Sequence, residues 1–293
     1  MANLKEVKGR IQSVMSTQQI TKAMKMVAAA KLRRAQDNIT QMRPYAQKLA
    51  GMLQNLSAQG ADNNESKYAE VRGVENVLIM VVTSDKGLCG AFNSNVFKTA
   101  NRHIKENYQR QFDKGNVTIL TMGKKARDYF VKRGYNVITD YWDMFTPVSF
   151  EKSVEASEYA MTNFVNGTYD RVDLIYNEFK NVATQIMRTE QYLPVLPPEV
   201  SGDSKFQVDY IFQPSREEIV QDLIPKSLKI QVYKAILDSN AAEHGARMTA
   251  MDQATDNAGE LLKELRLTYN RTRQAAITKE ILEIVAGAEA LGG

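Results

Sequence analysis

The first sixty residues carry one narrow apolar stripe. Counted in alternate steps of three and four from Leu4, thirteen of sixteen positions are apolar, a spacing typical of a coiled-coil seam. The pattern predicts one helix over roughly 4–59, bent near Pro44 and ended by the Gly, Asp and Asn residues of 60–64. The seam positions are Leu4, Val7, Ile11, Val14, Gln18, Thr21, Lys25, Ala28, Leu32, Ala35, Ile39, Met42, Ala46, Leu49, Leu53 and Leu56.

Three neighbouring seam positions, Gln18, Thr21 and Lys25, are polar. The break indicates a place where the seam loosens or meets something other than an apolar partner. The same stretch is basic, because residues 1–58 hold ten Lys and Arg against two acidic residues, whereas the whole chain has a net charge of +4. Charge alone leaves three readings of this stretch open: a solvated face, an acidic protein partner or, with less support because aromatic residues are scarce, nucleic acid.

A second long helix is predicted over about 215–286. Ser215 with Glu218 forms a capping box at its start, and Pro225 should kink its first turns. Small residues in its middle would allow a neighbouring helix to approach closely. They are Ala241, Ala242, Gly245, Ala246, Ala250, Ala254, Ala258 and Gly259.

The two terminal helices are one-sided and should not be stable alone in water, so we expect them to pair with each other. Their direction is not determined by the sequence. We favour an antiparallel coiled coil, because both helices must leave and re-enter the same intervening domain. The expected domains are residues 1–59, 74–212 and 213–287.

Between the helices the pattern changes to short apolar runs and period two. Strands are predicted at 76–83, 117–122, 135–139, 172–176 and 183–192, with helices at 93–109, 124–133 and 150–165. Alternating strands and helices indicate a mainly parallel, Rossmann-like α/β sheet. The fold class is therefore α/β plus long helices.

The loop at 83–93 (TSDKGLCGAFN) is the most enzyme-like segment, because open α/β sheets usually bind ligands after a strand. It matches neither GxGxxG nor GxxxxGK[ST], so a tight turn with a surface contact role is favoured over a nucleotide site. Cys89 has no His near it in sequence and is expected to be an unreactive thiol. With one Cys and two His in the chain, we expect no metal site and no disulfide.

Three stretches resemble the gamma subunit family of the F-type ATP synthases. They are residues 20–36 (ITKAMKMVAAAKLRRAQ), the loop at 83–93, and residues 246–285 (ARMTAMDQATDNAGELLKELRLTYNRTRQAAITKEILEIV). The resemblance implies a shaft of paired terminal helices inside a ring of alpha and beta subunits, with the α/β domain and an epsilon subunit on a ring of c subunits. Rotation would couple proton flow to ATP synthesis. ATP, ADP and magnesium would be bound by the alpha and beta subunits, so no catalytic or cofactor residue is expected in this chain.

The resemblance also implies contact residues. Met24 and Lys25 would face an acidic region of a beta subunit, and Arg273 with Gln274 would form an upper contact with a beta-subunit loop. Arg43 and Tyr210 lie in segments that resemble the contact with the c subunits. We further expect the 85–91 loop, including Gly87, to contact the epsilon subunit or the c ring, with Gly87 at positive φ if the turn requires it.

Helix length predicts an unpaired C-terminus. If the helices start level, antiparallel pairing puts Asn3 opposite about residue 270, leaving roughly 17 residues, or about 25 Å of helix, beyond the coiled coil. Ile277, Ile281, Leu282, Ile284 and Val285 share one face there. We expect this face to act as a bearing inside an apolar collar of alpha and beta subunits.

No signal peptide, transit segment or bilayer-spanning run is evident, and the extra cysteines of chloroplast family members are absent. We therefore expect a bacterial protein held by its complex at the cytoplasmic side of the plasma membrane, without thiol regulation. Two alternatives belong to other classes: a nucleotide-binding enzyme with a coiled-coil arm, and a rod that binds nucleic acid. Neither accounts for the block at 246–285.

Overall fold

A computed structural model describes residues 4–58, 67–182, 184–195 and 216–291. In chain order the elements are α1 (Leu4–Ala58), β1 (Val77–Val82), α2 (Phe92–Asn107), α3 (Gln109–Asp113), β2 (Val117–Met122), α4 (Lys124–Lys132), β3 (Asn136–Ile138), α5 (Phe150–Val165), β4 (Arg171–Phe179), β5 (Gln185–Leu193) and α6 (Arg216–Leu291). Every predicted strand and helix is present, within a few residues of its predicted bounds. The short α3 was not predicted as a separate helix.

The five strands form one sheet in the order β3-β2-β1-β4-β5. The first four are parallel to their neighbours, and β5 runs antiparallel to β4. Strand order 3-2-1-4 is that of a Rossmann-type sheet. The expectation of a mainly parallel, inserted α/β domain is therefore confirmed.

The central strand β1 is buried on both faces, which explains its continuous apolar run VLIMVV. Leu78, Met80 and Val82 point into one core, which α5 and the first third of α6 complete. Val77, Ile79 and Val81 point into a second core with α2 and α4. Helices thus cover both faces of the sheet.

Both long helices are continuous through their prolines, Pro44 and Pro225; the predicted bends there remain predictions. All fourteen seam positions from Leu4 to Leu49 are buried or half-buried, which confirms the seam. The predicted cap Ser215 and the helix-ending stretch 60–64 lie outside the described residues.

We expected the small residues of α6 to allow the close approach of a neighbouring helix, but only some of them do so. A Cβ on Gly259 would lie 3.0 Å from the Gln18 amide of α1, so close helix approach is confirmed there. At Gly245, however, the nearest atoms belong to the Phe179 ring, at 3.5 Å, and to Val182, at 3.7 Å. Here the small side chain admits the end of β4 and the following turn.

By its contacts the chain divides into two compact units, which are Met1–Ala28 with Arg247–Gly293, and Ala29–Ala246. Both long helices contribute to both units. The first unit is a pair of helix segments, whereas the second holds the sheet with the remaining parts of α1 and α6. The domain bounds 1–59, 74–212 and 213–287 remain a prediction.

Candidate functional site

The polar break in the α1 seam meets polar groups of α6. Thr21 is 9% exposed, and its hydroxyl donates to the Gln18 carbonyl at 3.0 Å while the Thr255 hydroxyl donates to it at 2.8 Å. The Gln18 side-chain amide donates to the Thr255 carbonyl at 3.3 Å. These contacts satisfy groups that would otherwise be costly to bury.

Lys25, the third residue of the break, forms an ion pair with Asp252 of α6. The two side chains keep 40% and 47% of their surface exposed, so the pair adds little stability. The break therefore meets something other than an apolar partner, which is one of the two readings that the sequence left open, and α6 of the same chain supplies the polar groups.

The contacts also define the direction and register of the pair. Gln18 lies opposite Thr255 and Gly259, whereas Lys25, further along α1, lies opposite the earlier Asp252. The helices are therefore antiparallel, as predicted. At equal rise, Leu4 lies fourteen residues further on, opposite about residues 269 to 273, close to the predicted register.

Beyond that point α6 is exposed. The exposed fractions are 48% for Ile277, 54% for Ile281, 71% for Ile284 and 48% for Val285, and no described residue of the chain covers them. Arg273 and Gln274, at the start of this segment, are also exposed, whereas Met24 on α1 is half-buried. The segment predicted to be the bearing is thus an uncovered apolar face of about two and a half turns.

The loop after β1 is held by its own polar groups. The Ser84 hydroxyl donates to the Lys86 carbonyl at 2.7 Å, and the Asn93 amide donates to the Ser84 hydroxyl at 2.8 Å and to the Cys89 sulfur at 3.3 Å. Asp85 accepts the backbone N–H of Lys124 at 3.0 Å. Cys89 is 2% exposed, as expected for an unreactive thiol.

Gly87 is not the residue that needs a glycine's freedom in this loop, which corrects our expectation. The positive φ values belong to Leu88, at 63°, and Gly90, at 59°. A Cβ on Gly87 would meet only the Lys125 side chain, at 3.9 Å. Leu88 is 67% exposed, so the loop presents an apolar side chain from a strained backbone position, a feature that sequence reasoning missed.

Arg43 lies on α1 at the edge of a cleft of about 350 Å³ in the second unit. Lys234, Leu237 and Asp238 of α6 and Glu178 of β4 line the same cleft. Arg43 is exposed. Tyr210, predicted with it as a c-ring contact, lies outside the described residues.

A buried charge network, also missed, joins α2 to β4. Asp173 is 1% exposed and its carboxylate accepts from His103 Nε2 at 2.7 Å, from the Tyr108 hydroxyl at 2.5 Å and from Arg171 at 3.3 Å. Burial opposes its ionisation, but these donors outweigh burial and lower the pKa of Asp173. A lone Asp in the apolar run VDLIY was the available signal. With all carboxylate contacts made inside the fold, the network is structural.

The described residues contain no candidate metal site and no candidate membrane span. No group of three or more His, Cys, Asp or Glu side chains in this part of the chain is placed to hold a metal ion. No helix within it combines the length and the apolar character needed to cross a membrane.

Comparison with known families matches residues 3–291 to the family model described as ATP synthase. The chain is 59% identical to an ATP synthase gamma chain of Cytophaga hutchinsonii, and the match covers 99% of both chains. It is 54% identical to an ATP synthase gamma chain of Christiangramia forsetii over 100% of both chains.

Solved structures share the fold. A rotor chain of the Euglena gracilis mitochondrial ATP synthase matches with a TM-score of 0.64 and 25% identity, covering 94% of this chain and 98% of that one. A chain from the central stalk and c-ring of the Tetrahymena thermophila enzyme matches with a TM-score of 0.57 and 25% identity, over 80% and 99% of the two chains.

Proposed function

The chain belongs to the ATP synthase gamma chain family, and on that premise we propose that its antiparallel helix pair is the turning shaft that couples proton flow to ATP synthesis. A gamma chain is a non-catalytic subunit of the central stalk, part of the rotor of the F-type synthase. In this proposal alpha and beta subunits surround the shaft and bind ATP, ADP and magnesium. This chain transmits torque and binds no cofactor itself.

The observation that carries the proposal is the uncovered apolar face of α6. Five large aliphatic side chains from Ile277 to Val285 are about half exposed or more, which is costly for a free helix in water. A collar of alpha and beta subunits would bury this face. Because apolar burial is non-directional, it holds the helix without locking its rotation.

Contacts with beta subunits are proposed at two levels of the helix pair. Met24 and Lys25 offer a half-buried apolar side chain and a cation near an acidic beta surface. Arg273 and Gln274 offer exposed polar groups to a beta-subunit loop. The exposure of Lys25, Arg273 and Gln274 supports both contacts.

Contacts with the c ring or the epsilon subunit are proposed at Arg43, Gly87 and Tyr210. The exposed guanidinium of Arg43 and the internally bonded loop that holds Gly87 support two of these. The matched relatives Cytophaga hutchinsonii and Christiangramia forsetii carry this subunit as well. We also propose that the chain lies on the cytoplasmic side of a bacterial plasma membrane, attached through its complex.

The bearing can be tested with two substitutions at one site in the assembled complex. Ile281→Asp puts a charge into the apolar collar, so we expect weaker assembly and a lower thermal stability of the complex, by about 2–3 kcal/mol for the buried face. Ile281→Leu keeps volume and apolarity, so its ATP-driven rotation rate should match wild type.

Two results would contradict the bearing. One is a loss of turnover in Ile281→Leu as complete as in Ile281→Asp. The other is disulfide trapping, through introduced cysteine pairs, of residues 277–285 against α1 of the same chain. Both measurements use the complete complex, with Ile281→Leu as the matched control for volume.

A further inference from the structure

The end of β4 is covered by side chains of α6 in place of a strand. Strand β1 pairs with β4 only as far as Val81 opposite Ile175, whereas β4 continues to Phe179. Beyond that point the backbone N–H of Asn177 donates to the Ser239 hydroxyl at 3.2 Å, and that of Phe179 donates to the Asp238 carboxylate. These two α6 residues satisfy donors that a longer β1 would otherwise satisfy.

Asp238 is an unusual residue for that task, because it is a carboxylic acid with only 3% of its surface exposed. Arg43 of α1, Lys234 of α6, and Tyr176 and Glu178 of β4 act on its charge. Glu178 is itself paired with Arg188 of β5 at 2.6 Å. The cations only partly offset the cost of burying this charge.

The cleft connects this carboxyl group to solvent. Asp238 lines the cleft together with Arg43 and Lys234. The cleft has a volume of about 350 Å³, which is enough for several water molecules. Protons can therefore reach the group without unfolding of the helix. A buried acid that water can reach is able to change its charge within the folded protein.

We propose that Asp238 is a proton-sensitive clip between α6 and the end of β4, which holds the strand end more firmly when its carboxyl group is protonated than when it is ionised. A neutral carboxyl group still accepts the Phe179 N–H through its carbonyl oxygen. That hydrogen bond is weaker than the one to a carboxylate, but the neutral group avoids the larger cost of a buried charge. The clip lies within the second unit and does not depend on the rotor proposal.

The direction of the pH dependence follows from the pKa. Burial, helped by the nearby Glu178 carboxylate, raises the pKa of Asp238 from 3.8 to about 6, against the opposing effect of Lys234, Arg43 and the Phe179 N–H. A group whose pKa is higher in the folded state stabilises it fully below its unfolded pKa, and that contribution is lost as the pH rises through the folded pKa. The clip should therefore weaken between about pH 4 and pH 6 and stay weak above.

Amide hydrogen exchange of the full chain tests the clip. After correction for intrinsic exchange, the protection of the Phe179 amide should fall about ten-fold between roughly pH 5 and pH 8. In Asp238→Asn, which keeps an acceptor oxygen but cannot ionise, this fall should disappear. Amides of β2 serve as the internal reference, because they lie away from the cleft.

Ser239→Ala is the matched control. It removes the neighbouring acceptor without touching an ionisable group, so the Asn177 amide should lose protection equally at every pH while Phe179 keeps its pH dependence. The clip is wrong if wild-type Phe179 shows no pH dependence beyond intrinsic exchange, or if Asp238→Asn retains it. A carboxyl titration of wild-type Asp238 by NMR that gives its ordinary pKa also overturns the proposal, whatever the stability of the variants.

Discussion

Reversing the charge at Lys25 separates its contact within the chain from its proposed contact with a beta subunit. In Lys25→Glu the ion pair with Asp252 becomes a repulsion between two carboxylates. The same change places a negative charge where we propose that an acidic beta surface passes. Both effects are unfavourable, but they act in different states of the protein.

The internal effect should be small. Both partners are nearly half exposed, and exposed ion pairs contribute about 0.2–1 kcal/mol. Loss of the pair with added repulsion should therefore cost about 1 kcal/mol, or a Tm shift of roughly 2–4 °C for a chain of this size. Helicity should barely change, because the site lies far from both ends of α1.

The external effect should appear in the assembled complex. Repulsion from the beta surface should lower ATP turnover several-fold at low salt, where the Debye length is about 30 Å, and by less at high salt. The assay is the hydrolysis rate of the reconstituted complex at two ionic strengths, beside the Tm of the free chain. Lys25→Gln, which is neutral, should lie between wild type and Lys25→Glu in both.

The exchanged pair, Lys25→Asp with Asp252→Lys, distinguishes the two effects. It restores the attraction inside the chain but leaves an anion at position 25. We expect a wild-type Tm together with reduced turnover. Wild-type turnover of Lys25→Glu at low ionic strength would refute the beta contact, and full recovery of turnover in the exchanged pair would assign the whole effect to the internal ion pair.

Three further substitutions test the turns and the loop next to the strands. Gly123 has a φ of 120°, and Gly123→Ala would place a Cβ 2.2 Å from the Thr83 carbonyl oxygen. We therefore expect a denaturant titration to show a loss of at least about 3 kcal/mol of unfolding free energy. Gly115→Ala is the control: Gly115 has a φ of 79° but open space around it, so this change should cost only about 1 kcal/mol. Leu88→Gly should stabilise the free chain by up to about 1 kcal/mol by relieving its positive φ, yet weaken assembly if Leu88 is a subunit contact. Unchanged assembly would remove the contact role.

Much of the fold was predictable because its signals are local. The steps of three and four along α1 reflect helix periodicity, and the described seam positions are buried or half-buried as that pattern requires. The uninterrupted apolar run of β1 indicated a strand covered on both faces. Helix length alone led to an unpaired end of α6, because rise per residue is nearly constant. The family resemblance added the contact residues, which periodicity does not supply.

The partners of polar residues were not predictable, because they depend on groups far apart in the chain. Gln18, Thr21 and Lys25 were recognisable as a break, but not as the partners of Thr255 and Asp252. Positive φ values in the loop after β1 fell on Leu88 and Gly90 and not on Gly87, because the conformation of the folded loop, and not the residue type, determines them.

By itself the sequence determined the elements, their order and their buried faces, since backbone geometry converts the spacing of apolar residues into helices and strands. Tertiary structure alone decided what the buried polar groups do. The carboxylate of Asp173 accepts several hydrogen bonds, and its pKa is lowered. Burial raises the pKa of Asp238 despite the cations near it. The sequence alone does not distinguish these two aspartates. Their difference arises from the donors and charges that the fold brings within a few ångströms of each carboxyl group.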